Sequence, residues 1–569
     1  MTTSASGSAA RTSAHRAAWR AATPLLLLAG AAMSRAAGAQ AGSVVPPGSL
    51  PAITAAELNA HLRFLSSDLL EGRAPDARGG RIAAAYVAAQ LQASGVYPGA
   101  DDSSYVQRVP LATVTVDPAS VRVALSGRAS SALRWGDDLV LDAPDAAIAT
   151  SLRGEIVFVG YGISAPARGW DDYAGADVRG KVVLALPGEP LSPDTLRGRY
   201  RLGGREPSWW GSTPAKREEA ERRGAVAFMA IYPADDPPLP WTAFARQLAM
   251  PVRQLPRDSA APALAARITI REEAAAALLR GAGLELAQLR ERAAATGFRA
   301  LPTGVTLEAS FRSAVTRTYS ENVVGYVRSR DARSNERLVV LTAHWDHLGV
   351  GAPVGKDSIY NGALDNASGV ALMLAVARAA AQGPPPARSL IFLFTTGAES
   401  GLLGARWFAA HPTVPLANVD AVIDVDGANL WGRSYDVVAV GGTKSSLGAQ
   451  LESVAARQGL RVTPDPLPEQ GYLLRSDQLP VALAGVPAIL VKRGVYFVGR
   501  PPEWGLERAR RYIAEDYRRP SDEYRTDFEL AGLVQQAEVV RAFALAVANT
   551  RRAPTWAPGG ELARPAPLP

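Results

Sequence analysis

Histidine and carboxylate side chains occur where several apolar segments of this sequence end. In chain order they are His344, Asp346, His347, Asp365, Glu399, Asp424 and Asp426. Imidazole nitrogens and carboxylate oxygens, in a chain that has no cysteine, are the ligands of a hard-to-borderline divalent metal ion. Any one of these acids could instead cap a helix or lie on the surface. Their recurrence at successive segment ends indicates a metal centre.

Some of these positions have a second interpretation. His347 is the last residue of the segment "LTAHWDH", and a hydrogen-bonding role in the loop is favoured over metal ligation for it. Of Asp424 and Asp426, in "VIDVDG", one is expected to be structural. Glu399, in "TTGAES", could be a working acid, a metal ligand or the remnant of a lost site.

The segments that carry these residues alternate with helical patterns from about residue 320 to 550. Near-continuous apolar strands, such as "RLVVLTAHW", "SLIFLFTT" and "VPAILVKRG", are separated by amphipathic helices. This alternation predicts an α/β fold, a mostly parallel mixed sheet with helices on both faces. In such sheets functional residues lie beyond the carboxyl ends of the strands, and these side chains are at the ends of predicted strands.

The remainder of the chain has a different pattern of predicted helices and strands. Two amphipathic helices are predicted after residue 50, and short β-rich runs such as "EIVFVGYGI" and "KVVLALPG" follow from about residue 115 to 310. We predict a discontinuous domain of residues 50–115 and 310–550 and a mainly β insertion of residues 116–309. The Pro-rich tail, residues 552–569, is predicted to be disordered.

The N-terminus predicts export. Arginines precede the short apolar run "TPLLLLAGAAM" and the small-residue segment "AGAQ", a pattern typical of a signal peptide that occupies residues 1–39 and is cleaved after Ala39. No other segment is expected to span a membrane, so the mature protein is predicted to be periplasmic or extracellular. Removal of residues 1–39 leaves a formal charge of +3, which does not suggest nucleic-acid binding. The oligomeric state is left open.

Several motifs resemble one known family. "AHWDH", "NGALDNASGVA", "TTGAESGLLGARWF" and "DVDG" resemble the co-catalytic zinc aminopeptidases, a family that includes the glutamate carboxypeptidases and the transferrin-receptor ectodomain. "LSSDLLEGR", "ENVVGYV" and "LAGVPAIL" extend the likeness from about residue 50 to 550. The insertion, with "FVGYGI", "DDY" and "GKVV", resembles the protease-associated domain that many members carry.

The resemblance implies a centre of two zinc ions bridged by one aspartate. His344, Asp365 and Asp426 match the ligands of the first ion, and Asp346 matches the partner that orients the histidine. Asp365 and Glu399 match two of the three ligands of the second ion. Peptides are the substrates or ligands that the family implies.

This chain departs from the family pattern at three positions. The family has a Glu-Glu pair, catalytic base first and ligand second, where this chain has Ala398 before Glu399. The last histidine ligand of the family corresponds to Arg518 in "DYRRPSDEY", and no histidine follows His411. The third difference is less severe: this chain has Gln478 where relatives usually have a histidine.

These departures predict one bound zinc ion rather than two, and lost or strongly reduced peptidase activity. The alternatives are an active secreted aminopeptidase, a pseudopeptidase kept for binding or scaffolding, and a mononuclear hydrolase that uses His347 or an outside carboxylate as base. A serine hydrolase is disfavoured because no G-x-S-x-G motif occurs. Arg518 is predicted to pair with Glu399, with Asp365 as a second candidate partner; otherwise Arg518 would point into solvent.

Overall fold

The computed structural model describes residues 51–562 except 101–102, 128–129, 145, 194–198, 236–238, 258–262 and 331–336. The predicted signal peptide lies outside the described residues. The α-helices are α1 Ala55–Leu65, α2 Arg78–Ala93, α3 Thr213–Arg222, α4 Trp241–Leu248, α5 Glu272–Gly281, α6 Leu286–Ala293, α7 Ser368–Ala381, α8 Leu403–Ala410, α9 Leu447–Arg457, α10 Gln478–Leu483, α11 Trp504–Glu515 and α12 Ala531–Asn549.

The strands of the described residues complete the secondary structure. They are β1 Tyr97–Pro98, β2 Val106–Val116, β3 Arg122–Ser126, β4 Ser131–Leu133, β5 Leu139–Asp142, β6 Ala149–Phe158, β7 Ser164–Ala165, β8 Trp170–Asp171, β9 Val182–Ala185, β10 Ala227–Tyr232, β11 Val252–Gln254, β12 Ala266–Arg271, β13 Leu301–Val327, β14 Leu338–His344, β15 Gly349–Val354, β16 Asp357–Tyr360, β17 Ser389–Thr395, β18 Val419–Asp424, β19 Asp436–Val440, β20 Arg461–Pro464 and β21 Ala488–Arg493.

Strand β2 and strands from the C-terminal half of the chain build a mixed sheet with a parallel centre. Its strand order is β2–β13–β17–β14–β18–β21–β19–β20, and β17, β14, β18 and β21 pair in parallel. β13 and β19 are antiparallel to their inner neighbours. The predicted fold class is confirmed. Because the central strands are parallel, their carboxyl ends meet at one edge of the sheet.

Both faces of this sheet are covered by helices. On β14, Val339 and Leu341 belong to the core that contains α7 and α12, whereas Leu338 and Val340 belong to the core that contains Phe408 of α8. Successive strand residues point to opposite faces, so a strand buried on both sides must be apolar throughout. That requirement explains the continuous apolar runs in the sequence.

The first two helices begin and end where the sequence predicts. The Thr54 side chain accepts a hydrogen bond from the Glu57 amide at 3.2 Å and so caps α1. After α2 the backbone turns at Gly95, which has a φ of +77°. That left-handed conformation is accessible to glycine at little cost and ends the helix.

The β-rich region has a hydrophobic core of its own. Strands β5, β12, β10, β9, β6, β13, β3 and β4 pair in that order around it. The 27-residue strand β13 belongs to both sheets, because its first half pairs with β6 and its second half with β2. The predicted boundary between residues 309 and 310 therefore falls within a continuous strand.

Two sequence-based expectations about apolar and tail segments are corrected. The stretches Ala363–Ala381 and Ala531–Asn549 are long and apolar enough to cross a membrane, although none was expected beyond residue 39; they are 94% and 56% buried inside the protein. Part of the Pro-rich tail is packed rather than disordered. Trp556 donates to the Gly485 carbonyl at 2.8 Å, and Leu562 is buried. Residues 563–569 lie outside the described residues.

Candidate metal centre

The side chains predicted to form the metal centre lie at one edge of the sheet, where the strands end. His344 is the last residue of β14, and Asp426 lies two residues beyond the end of β18. Glu399 lies in the short turn that follows β17. Asp365 lies in the tight turn before α7. Parallel pairing of the three strands brings these segments together.

The first group consists of His344, Asp365 and Asp426. The Nε2 atom of His344 lies 3.2 Å from Asp365 Oδ1 and 3.8 Å from Asp426 Oδ1, and potential ligand atoms of all three lie within 4.8 Å of one another. Burial alone would lower the pKa of His344, but the two carboxylates more than offset it and raise the pKa well above its usual value. A proton on Nε2 therefore balances the carboxylates where a metal ion would.

Asp346 orients His344 through its main chain. The Nδ1 atom of His344 donates to the Asp346 carbonyl oxygen at 3.1 Å. The Asp346 carboxylate is 3.8 Å from Nδ1, too far for a hydrogen bond, and accepts instead from the Ala398 amide at 3.2 Å. The orienting role of this carboxylate stays a prediction, since in the structure the carboxylate also binds the turn that carries Glu399.

The second group consists of His347, Asp365 and Glu399. His347 is buried, and its Nδ1 atom lies 3.2 Å from Glu399 Oε1. Potential ligand atoms of these three residues also lie within 4.8 Å of one another, and Asp365 belongs to both groups. Sequence analysis favoured a loop role for His347. Its spacing of three residues from His344 was the signal that could have pointed to this second group.

Arg518 forms the predicted pair with Glu399. Its Nη2 atom lies 2.5 Å from Glu399 Oε2, and the contact confirms that the guanidinium does not simply face solvent. Glu399 is buried, with 6% of its side chain exposed, whereas 44% of the Arg518 side chain remains exposed. Burial would raise the pKa of Glu399, but Arg518 and His347 hold it well below its usual range. Glu399 is therefore a carboxylate that already has a permanent cationic partner.

Ala398 and Gln478 are at the other two positions where this chain differs from the family pattern, and neither has an acidic or basic group. Ala398 lines the pocket with a methyl group next to Glu399. Gln478 is fully buried, and its Nε2 atom donates to the Leu473 carbonyl at 3.2 Å. Neither side chain can transfer a proton at neutral pH.

A set of hydrogen bonds fixes the loop that carries Asp365. The Asp522 carboxylate accepts from the amides of Leu364 and Asp365, at 2.9 and 3.1 Å. Asn366 donates to the Val425 carbonyl and accepts from the Gly427 amide, at 2.9 and 3.0 Å. Asn366 therefore ties the Asp365 loop to the segment that carries Asp426.

Arg73 is a buried organiser of the same loops that sequence analysis did not single out. It is 1% exposed, and its guanidinium donates to the carbonyls of Leu65, Trp345, Asn361 and Gly362. Burial lowers the pKa of Arg73 to about 10, with the nearby carboxylates acting in the opposite direction. The side chain joins the loop after β14 to the turn before α7.

Two further carboxyl groups lie beside the first group. Asp424 is fully buried, which raises its pKa well above its usual value, and the Asp477 carboxyl adds to this shift. Asp477 lines the pocket, and burial raises its pKa to about 7. Asp426 lines the pocket but Asp424 does not, which agrees with the expectation that one of this pair is structural.

The arrangement fits a divalent cation at the first group. Imidazole nitrogens and carboxylate oxygens are both zinc ligands, and here one imidazole and two carboxylates converge in a largely buried position. Both carboxylates approach the same nitrogen, so a positive charge is required between them. The second group has the same kinds of donor, but Arg518 already supplies its positive charge.

A buried cluster of histidine and carboxylate side chains that could hold a metal ion thus lies at the carboxyl edge of a mostly parallel sheet. Residues 322–544 match the sequence profile of peptidase family M28. The zinc-peptidase resemblance is thereby confirmed. The match does not include residues 116–309, so their likeness to a protease-associated domain stays a prediction.

The curated relatives that match are fungal proteases. The vacuolar membrane protease of Yarrowia lipolytica (strain CLIB 122 / E 150) is 36% identical over 120 residues, which are 21% of this chain and 11% of that protein. The protein of the same name from Schizosaccharomyces pombe (strain 972 / ATCC 24843) is 29% identical over 132 residues, 23% of this chain and 14% of its own length. The matches thus span only a small part of these relatives.

Two bacterial aminopeptidases of known structure align with most of this chain. The aminopeptidase from Aneurinibacillus sp. strain AM-1 gives a TM-score of 0.47 at 19% identity and covers 88% of this chain and 95% of its own. BSAP, a zinc aminopeptidase from Bacillus subtilis, gives a TM-score of 0.42 at 18% identity and covers 89% and 97%.

Proposed function

We propose that this protein is a zinc-binding relative of the M28 metallopeptidases whose peptidase activity is lost or strongly reduced. The observation that carries the proposal is the ion pair between Arg518 and Glu399, in a turn where Ala398 replaces an acid. Peptides are the proposed ligands, since the matching relatives are named proteases.

His344, Asp365 and Asp426 would hold a single zinc ion. When bound, such an ion polarises a carbonyl group and lowers the pKa of a bound water molecule. The chain's own contribution to hydrolysis is weaker. Loss of a positioned general base costs roughly 10²–10⁴ in rate, and Ala398 has no group that could take a proton.

Arg518 keeps the second group from acting as a metal site in this proposal. An arginine stays protonated and cannot ligate a metal through its guanidinium. Its planar donors match a carboxylate, and the 2.5 Å distance to Glu399 Oε2 is that of a close ion pair. Zinc would have to displace this group before it could bind His347, Asp365 and Glu399 together.

A slow mononuclear hydrolase is the second candidate. His347 is unsuited as its base because the side chain is buried against Glu399 and does not line the pocket. Asp477 does line the pocket, and its pKa of about 7 is close to the optimum for a general base at neutral pH. Residual activity that disappears in Asp477→Asn, while zinc content stays unchanged, would favour this candidate.

Hydrolysis of aminoacyl anilides, measured together with metal content, tests the proposal. We expect about one zinc ion per chain and turnover at least 10²-fold below a typical enzyme rate of about 10 s⁻¹. A wild-type rate above about 10 s⁻¹ on any aminoacyl substrate would show that the protein is an active aminopeptidase. A binding or scaffolding role is the remaining function if no substrate is turned over.

Export of the protein is also proposed, from the signal-peptide pattern of residues 1–39. N-terminal sequencing of the protein recovered from the periplasm or the medium should begin at or near Gln40. Recovery of chains that retain the first 39 residues in the cytoplasm would contradict export.

A further inference from the structure

One side of the pocket is lined by three cationic side chains, Arg475, Lys492 and Arg493, here called the basic wall. Lys492 and Arg493 end strand β21 and are each only 8% exposed. Arg475 follows a short turn and is exposed at the pocket's mouth. Charges of one sign, two of them buried, are thus gathered beside the first group of ligands.

The hydrogen bonds of the basic wall go to neutral acceptors, although the Asp426 carboxylate lies near enough for Lys492 to lower its pKa. Lys492 Nζ donates to the Asp426 carbonyl at 2.8 Å, Arg493 Nη1 to the Gly427 carbonyl at 3.0 Å, and Arg475 Nη1 to the Tyr517 hydroxyl at 3.4 Å. Within the part of the chain that the structure describes, no carboxylate oxygen lies within 4.0 Å of these cationic groups.

The two buried cations are also close to each other. A Cβ atom placed on Gly427 would lie 3.2 Å from Arg493 Nη1 and 3.7 Å from Lys492 Nζ. Like charges held this close in a buried position repel unless an anion lies between or beside them. Glycine at 427 leaves the space beside both nitrogens open to the pocket.

If the proposed function is right, Glu399, Asp365 and Asp426, which line the pocket, are already paired with other positive charges. Arg518 neutralises Glu399, and one zinc ion would neutralise Asp365 and Asp426. The basic wall then carries positive charge that Asp465, which lies near Lys492 and Arg475, offsets only in part, and an anionic group of a ligand can balance the rest. This step rests on the proposed function.

We propose that the basic wall is a subsite for a carboxylate carried by a peptide. An acidic side chain and a free C-terminal carboxylate present the same group, and both fit guanidinium and ammonium donors. Tyr472 flanks the wall, with Lys492 Nζ 4.2 Å and the Arg475 guanidinium carbon 5.0 Å from its ring centroid. The ring holds both cations in position without neutralising them.

Calorimetric titration of the full chain with four tripeptides tests the subsite. Glu-Ala-Ala-amide carries only a side-chain carboxylate, Ala-Ala-Ala free acid only a C-terminal one, and Gln-Ala-Ala-amide and Ala-Ala-Ala-amide carry none. We expect at least one of the carboxylate peptides to bind about 10-fold or more tightly than its amide counterpart. Which of them gains affinity identifies the source of the carboxylate. Chromatography after each titration checks that the peptides remain intact.

Variants link any preference to the basic wall. Arg475→Gln should weaken binding of the preferred carboxylate peptide at least about 5-fold and leave the amide peptides unchanged, whereas Arg475→Lys should retain most of the preference. Arg475 is exposed, so the change should not disturb folding. Arg433→Gln is the matched control, since Arg433 is exposed and does not line the pocket.

Two results would overturn the subsite: equal binding of all four peptides, or no binding of any up to about 10 mM. A carboxylate preference that survives Arg475→Gln and also Lys492→Gln, in variants with native zinc content, would overturn it as well. Zinc content and anilide turnover are measured on the same samples. Two zinc ions or fast turnover would refute the proposed function while leaving a carboxylate preference intact.

Discussion

The two groups of metal-binding side chains share Asp365 but balance their negative charge differently. In the first, the carboxylates of Asp365 and Asp426 face the His344 imidazole and raise its pKa, and Lys492 is a further cation near Asp426. In the second, Glu399 is balanced by Arg518, a charge that is covalently tethered to the chain. Under the proposed function, this difference would explain why a metal ion binds the first group and not the second, although each has three potential ligands.

This comparison changes the reason for expecting a single zinc ion. Sequence analysis counted only two carboxylates in the second group, but the structure adds His347 beside Glu399. Ligand number therefore does not distinguish the two groups. What distinguishes them is the Arg518 guanidinium, which lies against Glu399 in the second group.

The largest expected effect comes from a residue that supports both groups. Arg73→Met should lower the free energy of unfolding by about 3 kcal/mol or more, because four buried carbonyl oxygens lose their donor and each unsatisfied group costs about 1–3 kcal/mol. Urea denaturation measures it. Arg510→Met, at an exposed position of α11, is the control and should change stability by less than about 0.5 kcal/mol. A similar small change in Arg73→Met would contradict the organising role.

A histidine comparison separates the two groups directly. His344→Ala should weaken zinc binding at least about 100-fold, because it removes a ligand of the first group, and loss of an outer-shell partner alone costs 10–100-fold. His347→Ala should change zinc affinity less than about 5-fold. Competition titration with a chromophoric chelator measures both. Equal losses in the two variants would show that the groups do not act separately.

Activity should return only when both departures are reversed. Ala398→Glu alone should gain little, since Arg518 still holds Glu399, and Arg518→His alone supplies no base. The double variant should exceed the product of the single effects, by about 10-fold or more, because the residues act as a unit. Anilide hydrolysis at matched zinc content provides the comparison. Strictly multiplicative effects would argue against a shared site.

A smaller effect concerns the pH dependence of stability beside the first group. The pKa of Asp477 rises from 3.8 in the unfolded chain to about 7 in the folded protein. The folded state therefore keeps a proton that the unfolded state has lost, and stability should fall as the pH rises from about 4 to about 7. Chelator-treated Asp477→Asn should show a flatter profile over this window. An unchanged slope would place the origin of the pH dependence elsewhere.

Much of the fold was predictable because its causes are local. Continuous apolar runs predict buried parallel strands, and Thr54 and Gly95 mark helix ends by their own chemistry. His344, Asp365 and Asp426 could be grouped because parallel strands share a carboxyl edge. The Arg518–Glu399 contact followed from charge complementarity once the two positions were compared.

The parts that were missed depend on long-range packing. Arg73 donates to Trp345, 272 residues further along the chain, and no local pattern encodes that contact. The return of His347 toward Glu399 depends on the path of a loop. Lys492 and Arg493 were interpreted only as the end of an apolar strand, and Trp556 as part of a disordered tail. Periodicity does not reveal which terminal side chains turn into a pocket.

Anomalous diffraction from zinc-soaked crystals tests the central claim most directly. For the wild-type protein we predict a single zinc peak at His344, Asp365 and Asp426, with Arg518 still on Glu399. Arg518→Ala should gain a second, weaker peak between His347, Asp365 and Glu399, because only the guanidinium is removed. A second zinc ion bound to Glu399 in the wild type, with Arg518 turned into solvent, would contradict the account.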